Sequence, residues 1–106
     1  MIKIYHFPLT LIEDVFETRS DGGTLCDFVR NNIEKYHHVA DVDTDELEVS
    51  YRLTNTEHGK WWTDNLVTFH GSLEYGMQGA RITSVGDVLD MNAIRFVVAP
   101  HGFLYL

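Results

Sequence analysis

The chain of 106 residues has one cysteine, two prolines and only eight Lys and Arg against sixteen Asp and Glu. The single cysteine, Cys26, excludes an internal disulfide and a zinc site built from several thiolates, which fits a reducing compartment. No apolar run approaches the roughly 20 residues of a membrane-spanning helix, and Lys3 and His6 interrupt the first eight residues. We therefore expect neither a membrane span nor a signal peptide.

The shortage of basic residues also limits the partners that the chain can have. Its formal net charge is −8, and the Lys and Arg residues are scattered along the sequence. Binding to nucleic-acid phosphates requires clustered positive charge, so direct nucleic-acid binding is not expected. A basic protein partner and simple solubility both remain open as reasons for the charge.

What the chain does have is enough apolar material for a core. The hydrophobic fraction is 44% and the aromatic fraction is 12%, so residues 1–106 are expected to form a single domain without metal or disulfide. The clearest element is an amphipathic helix from about Thr24 to Tyr36, preceded by a Gly-Gly turn and capped by the Thr24 hydroxyl. Its apolar residues recur three and four positions apart on one stripe. They are Leu25, Phe28, Val29, Ile33 and Tyr36.

Strands are expected around that helix. Residues 1–7 alternate until Pro8 and predict a first strand, and residues 11–18 are expected to return antiparallel to it. Alternation at Leu47, Val49, Tyr51 and Leu53 predicts a third strand. Further predictions are a short helical turn at 61–65, strands at 66–70, 81–85 and 93–99, and glycine loops at 71–79; the path of 54–80 is left open.

The order of these elements predicts an α+β fold, a β-grasp-like mixed sheet of four to five strands crossed by one helix, with the closing strand beside the first. Four motifs carry a resemblance: M-I-K-I-Y-H-F-P-L at 1–9, G-G-T-L-C-D-F-V at 22–29, S-V-G-D-V-L at 84–89 and I-R-F-V-V-A-P-H-G at 94–102. Together they resemble the ubiquitin-like or sulfur-carrier-like β-grasp domains of bacteriophage tail-tip and tail-assembly proteins. Residues 54–80 are longer and more aromatic than that pattern, and the chain ends where such proteins continue into further domains.

The residues that carry chemistry do not form a recognised catalytic motif. A sulfur carrier needs an exposed C-terminal Gly-Gly, whereas this sequence closes on Phe-Leu-Tyr-Leu. The Asp41, Asp43 and Asp45 series resembles the start of a calcium loop but lacks the glycine and the final glutamate, so a solvated acidic turn is expected. His37 and His38 with Asp41 have the donor types for a transition metal, but neighbouring histidines on a strand point in opposite directions. We expect no catalytic residue, no cofactor and no metal.

The functional expectation is therefore a non-enzymatic interaction module. The resemblance implies protein–protein contacts in phage tail-tip or tail assembly, with other tail proteins or a host protein as partner, in the virion tail or the host cytoplasm. A homo-oligomer is also possible. The alternative is an acidic inhibitor that acts as a DNA mimic toward a host nucleic-acid enzyme. Its surface would be formed by Asp41, Asp43, Asp45, Glu46 and Glu48 with Asp14 and Glu17. The expected partner-binding residues are Trp61, Trp62, Phe103, Leu104, Tyr105 and Leu106.

Overall fold

The fold was analysed in a computed structural model of the chain, which describes residues 1–56, 60–70 and 81–106. Within these ranges the protein is α+β, with three helices and a six-stranded antiparallel sheet. The strands are β1 (Ile2–His6), β2 (His37–Val42), β3 (Val67–Phe69), β4 (Val88–Met91), β5 (Ile94–Ala99) and β6 (Gly102–Tyr105). The helices are α1 (Ile12–Thr18), α2 (Gly22–Asn32) and α3 (Leu47–Thr54), with single 3₁₀ turns at Leu9–Leu11, Ile33–Lys35 and Trp61–Thr63.

The order of the strands corrects the predicted closure of the sheet. The order is β3-β2-β1-β4-β5-β6, and every neighbouring pair is antiparallel, so the sheet is not mixed. The neighbour of β1 on one side is β4, whose Leu89 faces Ile4, rather than the strand predicted at 93–99. That strand exists as β5 but lies one place further out, because the two-residue turn after Met91 folds it back onto β4.

The main helix lies close to where the sequence predicts it. Its α-helical part is Gly22–Asn32, and the predicted continuation to Tyr36 is a 3₁₀ turn over Ile33–Lys35. The cap is Asp21 rather than Thr24: the Thr24 amide donates to Asp21 Oδ1 at 3.0 Å. This hydrogen bond lowers the pKa of the Asp21 carboxyl. The apolar stripe packs as expected, with Leu25 and Val29 fully buried.

Two segments predicted as strands are helices. Residue 11 ends the first 3₁₀ turn, and residues 12–18 form α1. Val15 is the buried residue of α1, and it packs with the buried residues of α2. Residues 47–53 lie in α3, whose buried positions are Ser50 and Thr54, four residues apart. Leu47 and Tyr51, four residues apart, lie on the same side of α3 as the buried Ser50 and Thr54, whereas Val49 and Leu53 lie on other sides. The strict alternation of the sequence therefore does not decide the structure of so short a segment.

The helices and the irregular segments cover the sheet on both faces. On one face α1 and α2 pack over β4 and β5, with Val88 and Val97 beneath them. On the other face Trp61 and the partly buried side chains of α3 pack against Ile2, Ile4 and Leu89. The predictions at β1, β5, the turn at Trp61–Thr63 and β3 are confirmed. Residues 81–85 form no strand, and the predicted glycine loops at 71–79 lie outside the described residues.

A buried ion pair between Arg81 and Asp87 connects the end of β1 with the segment that leads into β4. Arg81 Nη1 and Nη2 donate to the two carboxylate oxygens of Asp87 at 2.7 and 2.8 Å. The same carboxylate accepts the backbone amides of Phe7 and Ser84 at 2.9 and 2.7 Å. Because Asp87 is fully buried, these donors replace the water that the charge loses on folding.

Candidate functional site

A β-bulge in β2 brings two polar side chains onto one face of the sheet. Ile4 faces Ala40, but the next residue of β1, Tyr5, faces His38, so Val39 is an extra residue on β2. Positions three apart on a regular strand point to opposite faces. The bulge shifts the alternation, so His38 and Asp41 point the same way, and His38 Nε2 lies 2.8 Å from Asp41 Oδ1.

The neighbouring strand adds a third side chain to this face. Thr68 of β3 faces Asp41, and His70, two residues further along, donates its backbone amide to the Val39 carbonyl at 2.7 Å. This places His70 Nε2 2.7 Å from Asp41 Oδ2. Each oxygen of one carboxylate is therefore held by a different histidine. We call His38, Asp41 and His70 the His-Asp-His cluster.

The cluster is accessible from solvent. Its side chains are 34% (His38), 18% (Asp41) and 40% (His70) exposed. Lys3 and Thr68, the cross-strand neighbours of Asp41, are exposed as well, which shows that α1 and α2 do not cover this half of the sheet. The cluster thus lies on an open polar surface at the β2–β3 side of the molecule.

Hydrogen bonding decides the charge of the carboxylate. Burial by itself raises the pKa of Asp41, but the hydrogen bonds from His70 and His38 outweigh it, and the pKa of the carboxyl is lowered. An ionised carboxylate only accepts hydrogen bonds, so both Nε2 atoms carry the donated proton. Ring packing also orients His38, because the Tyr5 ring stacks on it with centroids 5.0 Å apart and planes 26° apart.

Sequence reasoning considered His38 with Asp41 but missed His70 and the fold that joins them. It placed no strand at 37–42 and expected an acidic turn at Asp41, whereas Asp41 lies in β2. The run H-V-A-D-V holds two valines, and that β-branched content was the available signal for a strand. His37 points away from the cluster, as the argument from alternation requires, and does not belong to it.

The residues predicted to bind a partner fall at two opposite ends of the sheet. Trp61 is buried at 4% exposure, donates its indole N–H to the Arg81 carbonyl at 3.2 Å, and packs edge-on against Phe69. Trp62 is half-buried beside it. The predicted C-terminal residues lie on or beside β6, five strand spacings from β3, which is roughly 24 Å along the sheet. Phe103 nevertheless packs against the same core cluster as Trp61 and Trp62.

Of the C-terminal residues, Tyr105 is the one that faces solvent. Its exposure is 69%, while Phe103, Leu104 and Leu106 are half-buried. Phe103 packs edge-on against Tyr51 of α3 at 5.8 Å between ring centroids. The C-terminal residues thus dock on their own domain through three side chains and present the fourth outward.

The carboxylates of the acidic hypothesis are partly engaged within the chain. Asp41 belongs to the His-Asp-His cluster, and Asp45 pairs with the amino group of Met1 at 2.9 Å. Asp43, Glu46 and Glu48 are exposed, as are Asp14 and Glu17 on α1. The DNA-mimic hypothesis stays a prediction.

Comparisons of this chain with protein-family models, with curated proteins and with solved structures find no match. Within residues 1–56, 60–70 and 81–106, none of the helices has the length and apolar character needed to cross a membrane.

Proposed function

We propose that the chain is a non-enzymatic interaction module that binds another protein along the outer edge of β6. The observation that carries this proposal is the position of β6 at the end of the sheet, with the exposed Tyr105 on it. No described strand pairs with its outer side. An open strand edge offers backbone donors and acceptors to an added strand, which is a common mode of peptide recognition.

The hairpin geometry specifies which backbone groups are available. Ala99 faces Gly102 across a two-residue turn, and the Leu106 amide donates to the Arg95 carbonyl at 2.9 Å. By the alternation of an antiparallel ladder, Gly102, Leu104 and Leu106 point their backbone groups toward β5. The backbone groups of Phe103 and the amide of Tyr105 point outward, where a partner strand would bind. The Tyr105 carbonyl accepts a long hydrogen bond from the Cys26 thiol of α2, at 3.9 Å.

Exposed apolar side chains lie beside that edge and supply a surface for a partner's side chains. Tyr105 packs edge-on against Phe96 of β5, with centroids 5.9 Å apart. Ile94, two residues before Phe96, is 45% exposed and lies on the same face of the strand. Apolar and aromatic side chains of this kind are enriched at protein–protein interfaces.

The proposal extends, on the resemblance alone, to a setting in bacteriophage tail-tip or tail assembly, in the virion tail or the host cytoplasm. The proposal also includes kinship of this chain to β-grasp domains. The helix that follows the first strand and packs on the sheet supports that kinship. The sheet departs from the pattern because every pair of strands is antiparallel and β4, rather than the closing strand, lies beside β1. Partners would be other tail proteins or a host protein, and self-association through the same edge is included.

A pair of substitutions at Tyr105 tests the edge. Proline removes the outward N–H while leaving the ladder to β5 intact, whereas Tyr105→Phe keeps the backbone donor and the ring. Binding partners are captured by chemical cross-linking and identified by mass spectrometry, with light scattering to detect self-association. We expect Tyr105→Pro to abolish a complex that Tyr105→Phe retains, with circular dichroism unchanged; retention by both variants would exclude the edge.

The setting has a separate test. Purified virions and tail-assembly intermediates from cells that carry this gene are analysed by mass spectrometry. Detection of the chain at a constant ratio to tail proteins is expected. Absence from both preparations would remove the phage setting while leaving the edge interaction to be judged on its own result.

A further inference from the structure

We propose that the His-Asp-His cluster is a binding site for a first-row divalent transition metal, with Zn²⁺ as the reference ion. The proposal is independent of the edge interaction of β6. It rests on three ligand atoms, the Nε2 atoms of His38 and His70 and a carboxylate oxygen of Asp41. His38 and Asp41 lie in β2, and His70 directly follows β3. All three ligand atoms lie within 4.8 Å of one another.

The chemistry of the donors selects the class of ion. Imidazole nitrogen suits zinc, cobalt, nickel and iron, and one carboxylate adds a negative charge. Calcium and magnesium prefer all-oxygen sites, so neither is expected to bind here. Three protein ligands on an accessible surface leave at least one coordination position for water or for a group from outside the chain.

The distances allow the site to close with small side-chain movements. Bonds of about 2.0–2.1 Å in a tetrahedral site place ligand atoms roughly 3.3 Å apart. The two nitrogens already lie 2.8 and 2.7 Å from the carboxylate oxygens. The remaining adjustment is a separation of the rings around an inserted ion, at side chains that are only partly buried.

Backbone and ring contacts hold two of the ligands in place before any ion arrives. The bulge at Val39 directs His38 onto the open face, and the Tyr5 ring stacks against it. The amide of His70 is fixed on the Val39 carbonyl at 2.7 Å. Ligands that are already oriented lose less conformational entropy on binding, which favours affinity.

Proton movement accompanies binding. In the metal-free arrangement the two Nε2–H groups donate to Asp41. A ligating imidazole binds through an unprotonated nitrogen, so the proton on each Nε2 must leave that nitrogen, for Nδ1 or for water, when the ion binds. Asp41 then exchanges two hydrogen bonds for a bond to the ion.

Isothermal titration calorimetry with ZnCl₂ on the tag-free chain tests the site, and CoCl₂ with visible absorption reports the coordination. One equivalent is expected to bind, and MgCl₂ and CaCl₂ are expected not to compete. His70→Gln, His38→Gln and Asp41→Asn should each weaken binding by at least about tenfold. His101→Gln is a matched control at an exposed histidine outside the cluster, and His37→Gln controls for the neighbouring ring; both should bind like the parent chain.

NMR of the unmodified chain keeps the test valid if a variant fails to fold. On addition of zinc, long-range ¹H–¹⁵N spectra should show new Nε2 shifts for His38 and His70 and unchanged shifts for His6. Failure to bind either ion overturns the proposal. So does binding that survives loss of His70, or shifts that appear at other histidines instead.

Discussion

Acidification should destabilise this protein through one buried histidine. The His6 side chain is fully buried, beside Trp61 and 3.0 Å from the Thr83 hydroxyl. Burial lowers the pKa of His6 from 6.5 to about 4; the negative charge of Asp87 opposes this shift, while Arg81 and His37 add to it. The ring is therefore neutral in the folded protein at pH 7.

The sign of the effect follows from where the proton binds. Between pH 6.5 and about 4 the unfolded chain protonates His6 and the folded chain does not. The unfolded state therefore gains stability as the pH falls. Each unit of pKa difference corresponds to about 1.4 kcal/mol, so His6 alone should lower the free energy of unfolding by about 2 kcal/mol between pH 7 and pH 5. Below pH 4 the loss should level off near 3 kcal/mol.

Urea denaturation followed by tryptophan fluorescence at pH 7, 6 and 5 measures this loss. The test variant is the double substitution His6→Phe with Thr83→Val. Because it removes both partners of the hydrogen bond, it leaves no buried hydroxyl without a hydrogen-bond partner. We expect its stability to fall by about 2 kcal/mol less than that of the parent chain over the same interval. His101→Gln, at an exposed histidine, should follow the parent.

Two results would contradict this prediction: an NMR titration of His6 near its ordinary pKa, or a double variant that loses as much stability as the parent between pH 7 and pH 5. Either result would mean that the ring is not held neutral by burial. The NMR measurement needs no substitution, so it decides the matter even if the double variant is unstable.

Four other substitutions test the packing of the fold by urea denaturation. Gly86 and Gly102 both have positive φ, of 96° and 134°, but a Cβ on Gly86 would lie 2.8 Å from Val15 Cγ1, whereas one on Gly102 would meet nothing within 4 Å. Gly86→Ala should therefore destabilise the protein by about 3 kcal/mol and Gly102→Ala by about 1 kcal/mol. Equal losses of stability would contradict the steric overlap at Gly86. Asp87→Asn removes the negative charge of the Arg81–Asp87 ion pair and should lower the free energy of unfolding by about 3 kcal/mol. A decrease below about 1 kcal/mol would show that the fold does not need this charge. Ala93 has φ 70° in the turn between β4 and β5, so Ala93→Gly should stabilise by about 1 kcal/mol, and a destabilised variant would argue against the strain.

The sequence predicts best where a strong local signal and the final packing agree. The apolar stripe locates α2 to within a few residues, although Gly22 and Gly23, predicted as a turn before it, are its first two residues. Pro8 and Pro100 mark the ends of β1 and β5. The sequence predicts poorly at 11–18, where a short apolar pattern does not separate a strand from a helix, and at 47–53, where an alternation typical of a strand occurs in a helix. Both segments pack as helices against the faces of the sheet.

Composition and local patterning by themselves established the acidic charge, the lone cysteine, the α+β class and the central helix. Tertiary structure alone decided the order of the six strands, the extra residue at Val39, and the meeting of His38 and Asp41 with His70, which is 29 residues from Asp41 in sequence. The physical reason is the distance along the chain over which each interaction acts. Helix periodicity and turns depend on neighbours a few residues apart, whereas strand pairing and side-chain direction depend on which distant segments come together.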